Sequence, residues 1–225
     1  MKADKETKEK LLESAKKEFL EKGYNKASLR KICADADCTT GALYFFFEDK
    51  EDLFDSIVRK PFEELSAIVD KHVEDDIELL GKPNAYEQED GDHDDLVKNL
   101  VHHLYANRDA FMLLINKSNG TSYENCVDGL VEEMEQGYRA MAESMIKNIP
   151  GAKINDYMVH WLTHLSIESF THLLDHETDE ANAIIYMNSI MDNLVKSWFE
   201  LILTPTADDL AKMQAENSDN KTQNK

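Results

Sequence analysis

The stretch CTTGALYFFFEDKEDLF, residues 38–54, sets four consecutive aromatic residues, Tyr44 to Phe47, directly after two threonines and a glycine. Thr39 is a residue type that caps a helix N-terminus, and the spacing predicts a short helix ending near Phe47. With about 100° between successive residues, Leu43 and Phe47 share one face, and Thr40 and Phe46 fall on its flanks. Gly41, Ala42 and Phe45 point the other way, with Tyr44 at the border. One helix face therefore cannot bury all four rings, and the remaining aromatics need a partner outside this small core.

Upstream, Leu11, Ala15 and Phe19 recur at helical spacing within a helix predicted over about Asp4 to Lys22, with Gly23 as its stop. A second short helix is predicted over Ser28–Ala36. Three short helices joined by tight turns form a helix-turn-helix unit, whose last helix enters a DNA major groove. The outward patch of Thr40, Gly41, Ala42, Tyr44 and Phe45 suits that approach. Small residues let the backbone near the bases, hydroxyls bond phosphates or base edges, and a phenylalanine touches a thymine methyl. Lys50, at the start of the next helix, adds a cation for a phosphate. Stacking of Phe45 and Phe46 on neighbouring helices is the plain alternative.

The formal net charge of the 225 residues is -20, which argues against a polyanionic partner until its distribution is considered. Residues 1–47 hold ten Lys/Arg and eight Asp/Glu, leaving 15 basic and 37 acidic residues for the rest. A weakly positive module on an acidic body still admits DNA at a small patch, while the body repels it elsewhere. No apolar run approaches the roughly 18 residues of a membrane span. The charged start MKADKETKEK lacks the apolar core of a secretory peptide, so a cytoplasmic protein with no membrane partner is expected. The three cysteines, Cys33, Cys38 and Cys126, show no metal-type spacing.

The remainder also reads at the helical period, with eight glycines and four prolines, which makes the chain all-α with about nine helices. A fourth helix is predicted from an Asp49 cap to about Leu80, kinked at Pro61. Residues 81–95 read as an exposed acidic loop. Helices are then predicted over about 94–105, 108–116, 122–147, 155–174 and 180–203. The domain reading is 1–50 for DNA binding, 51–205 for effector binding and dimerisation, and 206–225 for a polar, disordered tail.

The runs Thr7–Tyr24 and Ala27–Leu53 resemble the DNA-binding domain of tetracycline-repressor (TetR) family regulators. Gly23-Tyr24, Ser28, Ile32, Thr39, Gly41, Leu43-Tyr44, Phe47 and Lys50 fall in register without gaps over about the first quarter of the chain. The resemblance implies a homodimeric repressor that binds a palindromic double-stranded DNA operator and is released by a small-molecule effector. It implies no enzyme activity and no cofactor. Ser28, Thr39, Thr40, Gly41, Ala42, Tyr44, Phe45 and Lys50 are its expected DNA-binding residues. Ala27 stands where a capping threonine is usual, Asp37 where a turn glycine is usual, and Phe46 where a histidine or tyrosine commonly reaches a phosphate.

For the body, the residues alone must serve. An apolar pocket with a few polar anchors, set between the fifth and eighth helices, is expected from His103, Phe111, Met112, Ile115, Met134, Tyr138, Met141, Trp161, His164 and Glu168. A dimer interface is expected on the last two helices, from Phe170, Ile184, Met187, Ile190, Met191, Leu194 and Trp198, by pairing two helices from each subunit. Packing of these residues within one subunit is the alternative. His160, His164, Glu168, His172 and His176 recur every fourth residue, a step that drifts about 40° each time and so winds round the helix without forming a metal site. The rival function is a helical interaction protein that keeps the fold without binding DNA. Nothing in the sequence resembles a nucleophile–base set.

Overall fold

The computed structural model describes residues 2–80, 93–147 and 153–203. Most of the expected acidic loop, the stop at Pro150-Gly151 and the tail from 206 lie outside the described residues. Among the described residues there are nine α-helices and no strand: α1 (Lys2–Lys26), α2 (Leu29–Asp35), α3 (Thr40–Phe46), α4 (Lys50–Leu80), α5 (His93–Ala106), α6 (Arg108–Asn116), α7 (Cys126–Ile146), α8 (Asp156–His176) and α9 (Glu180–Ile202).

Local chemistry fixes the joints of the first four. Gly23 interrupts α1 at φ 73°, ψ 161°, the expected stop, and residues 24–26 add a final turn. The Ser28 hydroxyl caps α2 by accepting from the Lys31 amide, and the Thr39 hydroxyl caps α3 by accepting from the Ala42 amide at 3.1 Å. Between them Asp37 adopts φ 52°, the left-handed conformation that aspartate tolerates better than most residues. The Asp49 carboxylate accepts from the Asp52 amide at 2.9 Å and opens α4. Pro61 lies inside α4 without ending it. His103 Nε2 lies 2.8 Å from the Pro61 carbonyl, and since a carbonyl only accepts, that nitrogen carries the proton and ties α5 to α4.

The principal core runs through both expected domains without a break. Leu11, Phe19, Ile32, Leu43, Phe47 and Phe54 belong to the same buried cluster as Phe111, Leu113 and Leu174. Each such side chain contributes about 1.5–3 kcal/mol when fully withdrawn from water. A second cluster joins α7, α8 and α9 through Met141, Met145, Leu162 and Trp198. A third joins α5, α8 and α9 through Val101, Leu173 and Met187. The Asn155 amide donates to the Ile202 carbonyl at 2.8 Å, so α8 and α9 run antiparallel as a hairpin.

Helix α7 begins at Cys126, four residues later than expected. Residues 118–125 instead form successive turns, in which the Thr121 amide bonds the Ser118 carbonyl and the Cys126 amide the Tyr123 carbonyl. Gly120 allows this with φ 89°.

Candidate nucleic-acid interface

The two inward residues of α3 do what their spacing demands: Leu43 is 0% exposed and Phe47 2%. Tyr44 and Phe45 are 58% and 76% exposed. No core accounts for Phe45, so the plain stacking alternative fails for it, although its ring meets Phe46 edge-on at 5.0 Å. Phe46 is half-buried and packs against the principal core, which makes it structural. Ser28, Thr39, Thr40 and Gly41 are exposed and Ala42 is half-buried. The seven-residue α3 thus presents a continuous outer surface of two threonines, a glycine and two rings, held on a buried Leu43–Phe47 base.

Lys50 differs from its expected phosphate role. Its ammonium lies 3.4 Å from the Asn25 carbonyl and 4.7 Å above the Tyr24 ring, turned toward the α1–α2 joint. Burial there lowers its pKa, partly opposed by Glu18. Glu18 is itself 8% exposed and accepts from the Ser28 amide at 3.1 Å, so it holds the start of α2. Sequence reading missed that role because a lone glutamate on a helix gives no periodic signal. Lys26, Arg30 and Lys31, at the α1–α2 joint, are exposed and give no periodic signal either. Lys31 pairs with Asp35.

The expected pocket residues are not brought together. Phe111 is buried and stacks edge-on with His103 at 5.7 Å, while Met112 and Ile115 pack on the principal core. Met141 and Tyr138 belong to the second cluster, with the Tyr138 hydroxyl donating to Ser166 Oγ at 3.2 Å. Trp161 is 50% exposed, Glu168 is exposed, and His164 is half-buried against His160. Met134 alone of the set lines an open cleft of about 190 Å³ between α4 and α7, with Val69, Asp70, Val73, Glu74, Glu133 and Gly137. A Cβ on Gly137 would lie 2.9 Å from Val73, so glycine sets the close approach of the two helices. Among the described residues no group of three His, Cys, Asp or Glu is arranged for a metal, and no helix is long and apolar enough to cross a membrane.

The expected interface residues also divide. Met187 and Trp198 are buried within the protomer, and Phe170, Ile184, Met191 and Leu194 are half-buried against its own clusters. Period alone did not tell the inner stripe of α9 from the outer one. Ile190 is exposed, and it is joined on the hairpin by Tyr157, Trp161, Ile185 and Tyr186, each at least half exposed.

The joint between module and body holds a perturbed phenol. Tyr123 donates to Asp55 Oδ1 at 2.7 Å, and burial, then the Asp55 carboxylate, push its pKa up to about 12. The neutral phenol is the form the fold favours, so this contact contributes stability fully below the ordinary value near 10 and loses it as pH rises through 12. Tyr123→Phe is expected to flatten the stability profile between those values and to remove a phenol transition near 12 from an ultraviolet titration. Loss of a transition near 10 instead would show that Tyr123 ionises as a free phenol.

The stretch that carries this surface is similar to known proteins. A family model described as bacterial regulatory proteins, tetR family, matches residues 11–57, from the middle of α1 to the second turn of α4. The HTH-type transcriptional repressor BepR of Brucella suis biovar 1 is 48% identical over 63 residues, which are 27% of this chain and 30% of that repressor. The matched stretch therefore spans less than a third of that relative. Among solved structures, NalD of Pseudomonas aeruginosa, the secondary repressor of the MexAB-OprM multidrug efflux pump, superposes with a TM-score of 0.54 at 21% identity, covering 92% of this chain and all of NalD. A transcriptional regulator from Aquifex aeolicus VF5 gives 0.54 at 18% identity, covering 84% of this chain and 99% of that one. At such identities the likeness is one of fold. Residues 11–57 thus match the tetR family of bacterial regulatory proteins in sequence, and the described helices share the all-helical fold of the two solved regulators.

Proposed function

We propose that the protein is a ligand-responsive DNA-binding transcriptional regulator, a repressor that leaves a palindromic operator when a small effector binds. The observation that carries this is the outer face of α3, where Tyr44 and Phe45 stand exposed beside Thr40 and Gly41 on a capped helix with a buried base. The sequence-matched relative BepR is a transcriptional repressor, which supports repression as the direction of control. The purified protein should bind a duplex from the region upstream of its own gene far more tightly than a scrambled duplex, and weaken as salt rises. Equal binding to both duplexes at two salt concentrations would refute the regulator.

A palindrome requires two modules, and their recognition helices must sit about 34–36 Å apart to enter successive major grooves. The outer α8–α9 hairpin face, with Tyr157, Trp161, Ile185, Tyr186 and Ile190, is the surface that would pair two protomers. Because Trp161 and Tyr186 are exposed in the protomer, Trp161→Glu with Tyr186→Glu should leave its helicity intact and convert a dimer to a monomer in sedimentation. Persistence of the dimer would place the interface elsewhere. The effector is a small molecule admitted at the α4–α7 cleft, whose 190 Å³ is below the roughly 300 Å³ of a drug-sized site, so binding must part the two helices.

A further inference from the structure

The α6–α7 turn does more than connect two helices, because it closes on the helix-turn-helix module at several separate points. Its first carbonyl, on Lys117, accepts from the Tyr24 amide at 3.1 Å. The Asn25 side-chain amide donates to both the carbonyl and the side chain of Asn119, at 2.9 and 3.0 Å. On its far side the Ser122 amide donates to Glu51 of α4 at 2.9 Å. Gly120 lies at the centre, where a Cβ would fall 2.4 Å from the Asn25 side chain and φ is 89°. The α1–α2 joint and the first turn of α4, which flank the recognition helix in sequence, are thus both held by one turn of the body.

We infer that residues 117–123 form a clasp that fixes the direction of α3 relative to the body, with Asn25 and Gly120 as positioning residues for operator binding. The shared core and α4 join the module to the body by apolar packing, which sets no unique hydrogen-bonded register. The attachment at Tyr24 and Asn25 adds a directional polar restraint on rolling of the module over that core. The clasp leads straight into α7, and Glu133 and Met134 of the α4–α7 cleft lie seven and eight residues after Cys126, about 10–12 Å along the helix. Parting α4 from α7 there would shift the start of α7 and with it the clasp. The same two helices would then carry both the opening and the grip on the module, so that a ligand favouring the parted arrangement would loosen the clasp.

This inference rests on the regulator reading above, and the test separates the two. Gly120→Ala forces the clasp open by strain and contact, whereas Asn25→Ala removes its hydrogen bonds from an exposed position with no steric insult and preserves folding. Amide exchange in the DNA-free protein and affinity for operators with altered half-site spacing are both measured. In both variants the Tyr24 and Ser122 amides should exchange faster while the buried part of α1 stays protected. Discrimination between correct and altered spacing should fall by between about 5-fold and 150-fold. The salt dependence should stay as in the wild type, because the phosphate contacts are the same in number. A wild-type chain that selects its operator, with variants that keep its spacing preference, overturns the clasp and leaves the regulator standing. A wild-type chain that selects no duplex overturns the regulator and the inference together.

Discussion

Phe54→Ala is expected to lower the stability of the chain by about 3–5 kcal/mol, the usual cost of emptying a fully buried phenylalanine site. The ring is 0% exposed and meets Phe19 edge-on at 5.2 Å, Tyr24 at 5.6 Å and Tyr123 at 6.3 Å. Those partners come from α1, from its final turn and from the α6–α7 turn, so the cavity would open where module and body share their core. A loss of this size is a large fraction of the 5–15 kcal/mol that holds a typical domain. Denaturant unfolding followed by far-ultraviolet circular dichroism would measure it. The continuous core makes a second demand: module and body should unfold in one transition. A module that melts first, leaving α5–α9 helical, would show that residues 1–50 form an independent domain, as the sequence reading expects.

The module was legible because its signals are local. Ser28 and Thr39 as caps, Gly23 as a stop and Leu43 with Phe47 as the inner pair each follow from one residue or a spacing of four, and the structure places each accordingly, while Asp37 takes the left-handed turn that the resemblance implied. The body was legible only as helices. Met187 and Ile190 sit three residues apart on α9, one buried and one exposed, and no helical period assigns an inside to a helix whose partners are unknown. The pocket set is spread over several clusters for a related reason. His103, Tyr138 and Trp161 are of pocket-lining type, but which cluster each one joins depends on how α4, α5, α7 and α8 cross. The clasp was invisible for a third: Asn25 and Asn119 are 94 residues apart, and the Asn-Gly signal at 119–120 announces a turn without saying what the turn touches.

The charge distribution bears on how the module is used. The acidic body repels a duplex, so affinity has to come from a compact set of contacts at α3 and the cations around it. With Lys50 turned onto Tyr24 and Lys31 paired with Asp35, the exposed Lys26 and Arg30 are the cations on offer for phosphates beside α2. On the proposed reading, the two exposed rings then carry a large share of the specific contact.

Replacing both rings, Tyr44→Ala with Phe45→Ala, is therefore expected to cost operator binding about 3 kcal/mol, roughly a hundredfold in affinity. Stability should change little, by no more than about 0.5 kcal/mol for each exposed position, because neither ring belongs to a buried cluster. The contrast with Phe54 is the point of the experiment, since the ring pair should lose operator affinity at nearly unchanged stability, whereas Phe54→Ala should lose stability. Fluorescence anisotropy with a labelled duplex, read beside a thermal melt, separates them. Affinity for a scrambled duplex should fall far less than affinity for the operator, as phosphate contacts carry nonspecific binding and these rings hold no charge. Equal losses on both duplexes would mean that the rings only shape the backbone approach. Full retention of operator affinity would remove α3 from the interface and leave two large exposed aromatics on a capped helix for a protein partner to cover.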